Sequence, residues 1–172
     1  MYTTVLQEPR PLERRDDRSR FQSGNAEIDD WFHRFAWQNH RAGNARVFVT
    51  TQEPETLGFY ALSMGAVQRS TLPDALKPSQ RPEPCPILLL ARLAVDQRAQ
   101  GRGIGAALLK DALLRAYNLS NEVGFAALLV HCANDQAREF YLSQSSHFVP
   151  CPGAENHLML PLRAMREFID AL

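Results

Sequence analysis

Apolar positions along the chain follow two different periods. Ile28, Trp31, Phe32, Phe35 and Ala36 fall at i, i+3, i+4, i+7 and i+8, one face of a helix. Ser23 or Asn25 can cap its start, Glu27, Asp29 and Asp30 sit where the dipole favours anions, and Gly43 follows Arg41 at its end. The spacing predicts one helix from about 25 to 43. Residues 46–51 and 57–64 are rich in β-branched and aromatic side chains and read as strands, with Glu53-Pro54-Glu55 turning between them. Residues 87–95 form a continuous apolar run closed by Asp96, the pattern of a buried strand. A loop with Gly101, Gly103 and Gly105 follows, and a helix opens at once with Ile104, Leu108, Leu109, Ala112 and Leu113 on its inner face. Residues 126–132 read as a second buried strand. Asn134 or Asp135 caps a short helix over 136–142, 157–160 a last strand and 163–171 a closing helix. Strand, helix and strand with short connections make a βαβ unit, so the expected fold class is α/β.

Between these elements, residues 70–86 contain Pro73, Pro78, Pro82, Pro84 and Pro86, a density that no regular helix or inner strand should survive. The first 20 residues interleave Arg10, Arg14, Arg15, Arg18 and Arg20 with Glu13, Asp16 and Asp17, and read as a solvated strand edge or loop. With 172 residues the expectation is one domain over 1–172. Lys+Arg and Asp+Glu are 19 each, which argues against a generic nucleic-acid coat. Lys77 and Lys110 are the only lysines among those 19 basic residues. The rest are arginines, better forks for phosphate and carboxylate, although an Arg-rich genome gives the same bias. No run reaches the ~18 apolar residues of a membrane span, and the start lacks the apolar core of a signal peptide. Cys85, Cys132 and Cys151 are widely spaced with no CxxC pair, so no metal site is expected. They read as free thiols in a reducing cytoplasm.

The glycine loop carries the chemistry. A strand that stops, three glycines in five residues and a helix start leave outward-pointing N–H groups, helped by the macrodipole, and let an anion approach without a Cβ in the way. The GxxxxGK(S/T) pattern of nucleoside triphosphate hydrolysis is absent. Gly101-Arg-Gly103-Ile-Gly105-Ala106 gives only a loosened dinucleotide fingerprint, and the next strand ends without the acidic residue that would hold a ribose.

The stretch Gln100-Gly-Arg-Gly103-Ile-Gly105-Ala-Ala-Leu-Leu109 resembles the (Arg/Gln)-x-x-Gly-x-(Gly/Ala) loop of the GCN5-related N-acetyltransferases, or GNAT family. Arg98-x-x-Gly101-x-Gly103 is a second register, and Asn134-x-x-Ala137-x-x-x-Tyr141 is similar to the family's second cofactor motif. Phe21-x-Ser-Gly-x-x-x-Ile-Asp29-x-Trp31-Phe32, Leu90-Ala-Arg92-Leu-Ala-Val95-Asp96 and Arg138-Glu-Phe-Tyr141 extend the resemblance to the TacT-like toxin subgroup. The family's second motif ends in Gly-Phe, where this chain has His147-Phe148.

The resemblance implies a GNAT fold, a mixed twisted sheet flanked by helices, and acetyl-CoA as acetyl donor. It implies that the pantetheine arm pairs with Leu93, Ala94 and Val95, and that the diphosphate rests on Gln100, Gly101, Arg102, Gly103, Ile104, Gly105 and Ala106. Asn134 and Arg138 would hold the arm, and Tyr141 would protonate the leaving thiolate. Such toxins acetylate the α-amine of aminoacyl-tRNA, are paired with a ribbon-helix-helix antitoxin, and form homodimers. The tRNA would meet Arg46, Arg92, Arg98, Arg102, Lys77 and Arg81. Arg92 interrupts an apolar strand and so should face a cleft or a buried ion partner. A lysine amine, with a pKa near ~10.4, needs strong help to lose its proton near neutrality, whereas an α-amine near ~7.7–8.0 does not. No Glu or His stands out as a base, and His131 reads as a core histidine. The other readings are an acetyltransferase acting on a protein N-terminus or a small amine, and a non-catalytic acyl-CoA-binding regulatory module.

Overall fold

The computed structural model describes residues 5–77 and 81–171. Among the described residues seven strands lie in the order β1-β2-β3-β4-β5-β7-β6, a mixed sheet with five α-helices, and the expected α/β architecture is borne out. The chain divides into two compact units, residues 1–63 with 91–112 and residues 64–90 with 113–172.

In the first unit, β1 (Arg10–Pro11) pairs antiparallel with β2 (Arg46–Gln52), and β2 with β3 (Glu55–Val67), whose residues from Met64 onward belong to the second unit. Leu12, Phe21, Phe32, Val47, Val49, Phe59 and Ala94 form the core. Instead of one helix from 25 to 43 there are two, α1 (Ala26–Arg34) and α2 (Ala36–Ala42). Asn25 caps α1 by accepting from the Ile28 N–H. The break has a visible cause. The Arg18 guanidinium donates to the carbonyls of Phe32 and His33 at 3.2 Å. A continuous helix would give those acceptors to the amides of residues 36 and 37. Phe35 leaves the helical region (φ −120°, ψ −18°) and the chain restarts.

From here β4 (Cys85–Val95) and α3 (Ile104–Leu119) each run through both units. Gly58 on β3 accommodates α3. A Cβ there would lie 2.9 Å from Leu108 Cδ1, 3.1 Å from Thr50 Cγ2 and 3.3 Å from Ile104 Cγ2.

In the second unit, β5 (Ala127–His131) pairs parallel with β4 over Leu88–Leu90, and antiparallel with β7 (Ala154–Pro161). β6 (Val149–Cys151), α4 (Asp135–Gln144) and α5 (Leu162–Asp170) complete it. Leu72, Leu76, Cys85, Ile87, Leu129, Cys151 and Met159 form its core. The proline-rich segment is more ordered than its composition predicts. It holds single helical turns at Arg69–Thr71 and Asp74–Leu76, and Leu72 and Leu76 are buried. Pro86 lies inside β4, where its carbonyl accepts from the Ala126 N–H at 3.0 Å, so its missing donor is not needed on that side. Pro78 lies outside the described residues. No helix among the described residues is long and apolar enough to cross a membrane.

Candidate active site

The glycine loop in the first unit begins with a buried carboxylate. Asp96 is 1% exposed and ends β4, its N–H donating to the Leu57 carbonyl. Its oxygens accept from the Arg98 N–H (2.8 Å), Arg98 Nε (2.8 Å), Arg98 Nη2 (3.0 Å) and the Gln22 N–H (3.0 Å). Burial alone would raise its pKa. The Arg98 side chain and the two backbone donors outweigh that and hold it below the usual carboxylate range. Arg98 also pairs with Glu55 at 3.1 Å, so its fork braces the loop. That use displaces the expectation of Arg98 as a substrate cation.

Gln100 likewise acts as a brace. Its side-chain amide donates to the carbonyls of Ser23 and Val95, both at 3.0 Å. Gly101 and Gly103 then take φ of +81° and +79°, where an L side chain is strained, and a Cβ on either would meet nothing within 4 Å. The first bond of α3 runs from the Ala107 N–H to the Gly103 carbonyl. The amides of Ile104, Gly105 and Ala106 therefore precede any carbonyl the helix can offer them. Open space over Gly101 and Gly103, with donors behind it, fits a diphosphate. Arg102 is exposed, 3.5 Å from Gln52 Oε1.

Upstream on β4, Leu93 and Val95 are half-buried and Ala94 is buried. The parallel pairing with β5 stops at Leu90, five residues before the strand ends. Arg92 is half-buried with its guanidinium carbon 4.2 Å from the centre of the Trp31 ring, so its direct partner is an aromatic face, and Glu27 acts on its charge only from a distance. Arg46 is exposed and donates to the His40 carbonyl near the end of α2.

In the second unit Asn134 is the cap of α4, its Oδ1 accepting from the Ala137 N–H at 2.8 Å. That leaves its side-chain NH2 for a ligand. Arg138 Nε donates to the Glu155 carbonyl at 3.0 Å. Tyr141 is 5% exposed, between Phe140 (5.2 Å) and Phe148 (5.7 Å). Burial, with a smaller contribution from Cys132, pushes its phenol well above the ordinary tyrosine range. It therefore holds its proton throughout the physiological range, the state an acid needs. Phe148 is buried although His147 stands in place of the family's glycine.

His131 is not a core histidine. It is exposed at the last position of β5 and stacks on His157 (4.0 Å between ring centres) across the β5–β7 pair. β5 ends at His131, and Cys132 just beyond it is buried again, so His131 is the exposed interruption in an otherwise buried run. Lys77 is exposed beside Asp74 (3.4 Å). Arg81 Nε is buried without a partner. Burial pushes all three cysteine thiols up, and none is exposed, so none is a ready nucleophile.

Sequence reasoning missed Asp96 and Arg18. Asp96 shows in the sequence as the polar stop after an apolar run and as the last residue of a motif, neither of which tells of its bracing role, and nothing local announces Arg18.

A family model for the acetyltransferase (GNAT) domain matches residues 43–144. The chain is 39% identical over 161 residues to a tRNA-acetylating toxin of Mycobacterium tuberculosis, covering 94% of this chain and 95% of that one. Among solved structures it is similar to AtaT complexed with acetyl-methionyl-tRNAfMet, with a TM-score of 0.84 and 29% identity over 95% of this chain and 98% of that one. It is also similar to an AtaT mutant bound to the C-terminus of the antitoxin AtaR and acetyl-CoA, with a TM-score of 0.79 and 26% identity over 96% and 99%. The chain belongs to the GNAT acetyltransferase family, enzymes that take their acetyl group from acetyl-CoA.

Proposed function

We propose that this protein transfers the acetyl group of acetyl-CoA to the α-amine of aminoacyl-tRNA, acts in the cytoplasm as the toxin of a toxin–antitoxin pair, and so blocks translation. The observation that carries this reading is likeness along nearly the whole chain to a tRNA-acetylating toxin, together with likeness to AtaT in a structure with acetyl-methionyl-tRNA.

The geometry suits that chemistry. In this reading the amides at 101–106 seat the diphosphate and Leu93, Ala94 and Val95 present the strand edge to the pantetheine arm, with Asn134 and Arg138 assisting. When the amine attacks the thioester carbon, the C–N bond would form as the C–S bond breaks, Tyr141 would give its proton to the sulfur, and the proton shed by the amine nitrogen would return to the phenolate through solvent. The buried phenol is poised for that transfer only within hydrogen-bond reach of the sulfur. An α-amine supplies its lone pair near neutral pH without a dedicated base. Arg46, Arg92, Arg102, Lys77 and Arg81 are the cations proposed for the RNA. An antitoxin partner is supported by the AtaT–AtaR neighbour, and its ribbon-helix-helix type and a homodimer complete the proposal.

Cell-free translation with and without acetyl-CoA tests it. Protein yield should collapse only when both the enzyme and acetyl-CoA are present, and mass spectrometry should find N-acetyl aminoacyl ends on the tRNA. Equal yields, or acetylated peptides with untouched tRNA, overturn it.

A further inference from the structure

Arg92 is the one charged residue in the eleven of β4, and its surroundings are unusual. Among the described residues its guanidinium makes no hydrogen bond or ion pair, yet its nitrogens are not among the buried unsatisfied atoms, so they reach the surface. Its charge lies over the Trp31 ring at 4.2 Å. Trp31 is itself fixed. It stacks on Phe59 (6.2 Å, 16° between planes), and Phe59 stacks on Phe32 (4.1 Å, 10°), with Phe21 edge-on to both phenylalanines.

A ring face and a carboxylate hold a guanidinium differently. A carboxylate takes two of the five N–H donors, as Asp96 does with Arg98. A ring attracts the charge through its quadrupole and takes none of the in-plane donors. Trp31 thus holds Arg92 in place while leaving its fork open.

Chain order says which end of the donor meets that fork. A diphosphate seated at 100–105, with its arm following β4 back along Val95, Ala94 and Leu93, brings its thioester end toward residue 92. We infer that Trp31 is a positioning residue that presents the open Arg92 fork to the phosphate or ester oxygens at the 3′ end of the charged RNA. This inference rests on the proposed acceptor.

Steady-state kinetics with aminoacyl-tRNA as the varied substrate, paired with calorimetry of acetyl-CoA, test it on Trp31→Leu, Trp31→Phe and Arg92→Lys. Trp31→Leu should raise KM for the charged RNA about tenfold and leave kcat and acetyl-CoA affinity within about twofold, and Trp31→Phe should recover most of the loss. Arg92→Lys keeps the charge without the fork and should raise the same KM. It removes no aromatic packing, so it decides the matter if the leucine variant folds poorly. An unchanged KM in Arg92→Lys, or an equal loss of acetyl-CoA affinity in the variants, overturns the inference and leaves the proposed acceptor standing. A wild-type enzyme that binds acetyl-CoA but does not acetylate charged RNA overturns both.

Discussion

The segments 96–106 and 134–148 both start from a strand end and a helix beginning, and they put it to different uses. In the first, side chains work on the backbone. Asp96, Arg98 and Gln100 are tied into the loop, and what remains to meet a ligand is peptide N–H groups presented by Gly101, Gly103 and the first turn of α3. In the second, the backbone works for a side chain. Asn134 closes the start of α4, Arg138 ties α4 to the Glu155 carbonyl, and the helix delivers one phenol into a buried aromatic setting. A site made of peptide groups should respond to substitution mainly in affinity, and a site made of one acid mainly in rate.

The sharpest way to break that contrast is Tyr141→Phe. Turnover should fall by roughly 10²–10⁴, the worth of a positioned proton donor, while calorimetry finds acetyl-CoA bound as before. Loss of binding instead would place Tyr141 in the donor's seat. Next in size is Asp96→Asn, which removes a buried acceptor of charged donors and should lower stability by about 2–3 kcal/mol, read by urea melts. The pH dependence follows from the direction of its shift. A carboxyl held below its unfolded value of ~3.9 contributes stability above that pH, and the contribution vanishes as pH falls through the folded value. The wild type should therefore lose stability more steeply than Asp96→Asn as pH drops below about 4. The smallest effect belongs to Gly103→Val. A β-branched residue at φ +79° strains the loop by ~1–3 kcal/mol, so acetyl-CoA affinity should drop about tenfold or more while the rate at saturation stays near normal. A large fall in saturated rate with affinity intact would erase the distinction.

The glycine loop was legible because positive φ restricts residue type directly, so a backbone requirement appears as a letter. The positions of β4 and β5 were legible for a similar reason, since buried strands write continuous apolar runs, whereas β6 and the order in which the strands pair were not. What escaped is held by distant partners. Nothing in the periodicity of 28–36 reveals that Arg18, 14 and 15 positions away from its two acceptors, takes the carbonyls that would continue the helix. The sequence marked Arg92 as out of place but named no partner, because Trp31 lies 61 positions before it. Between Phe140 and Tyr141 the spacing left open which one turns inward. The structure buries the tyrosine and leaves the phenylalanine half-buried.

Gly58 carries a consequence of its own. The helix that begins the anion seat rests against β3 at a point where there is no room for one more carbon. The height of that seat is gauged by an absent methyl, far in sequence from any ligand. A homologue carrying alanine here should return the volume through a shorter side chain at 108, 50 or 104, and these positions should drift together with 58 as one unit.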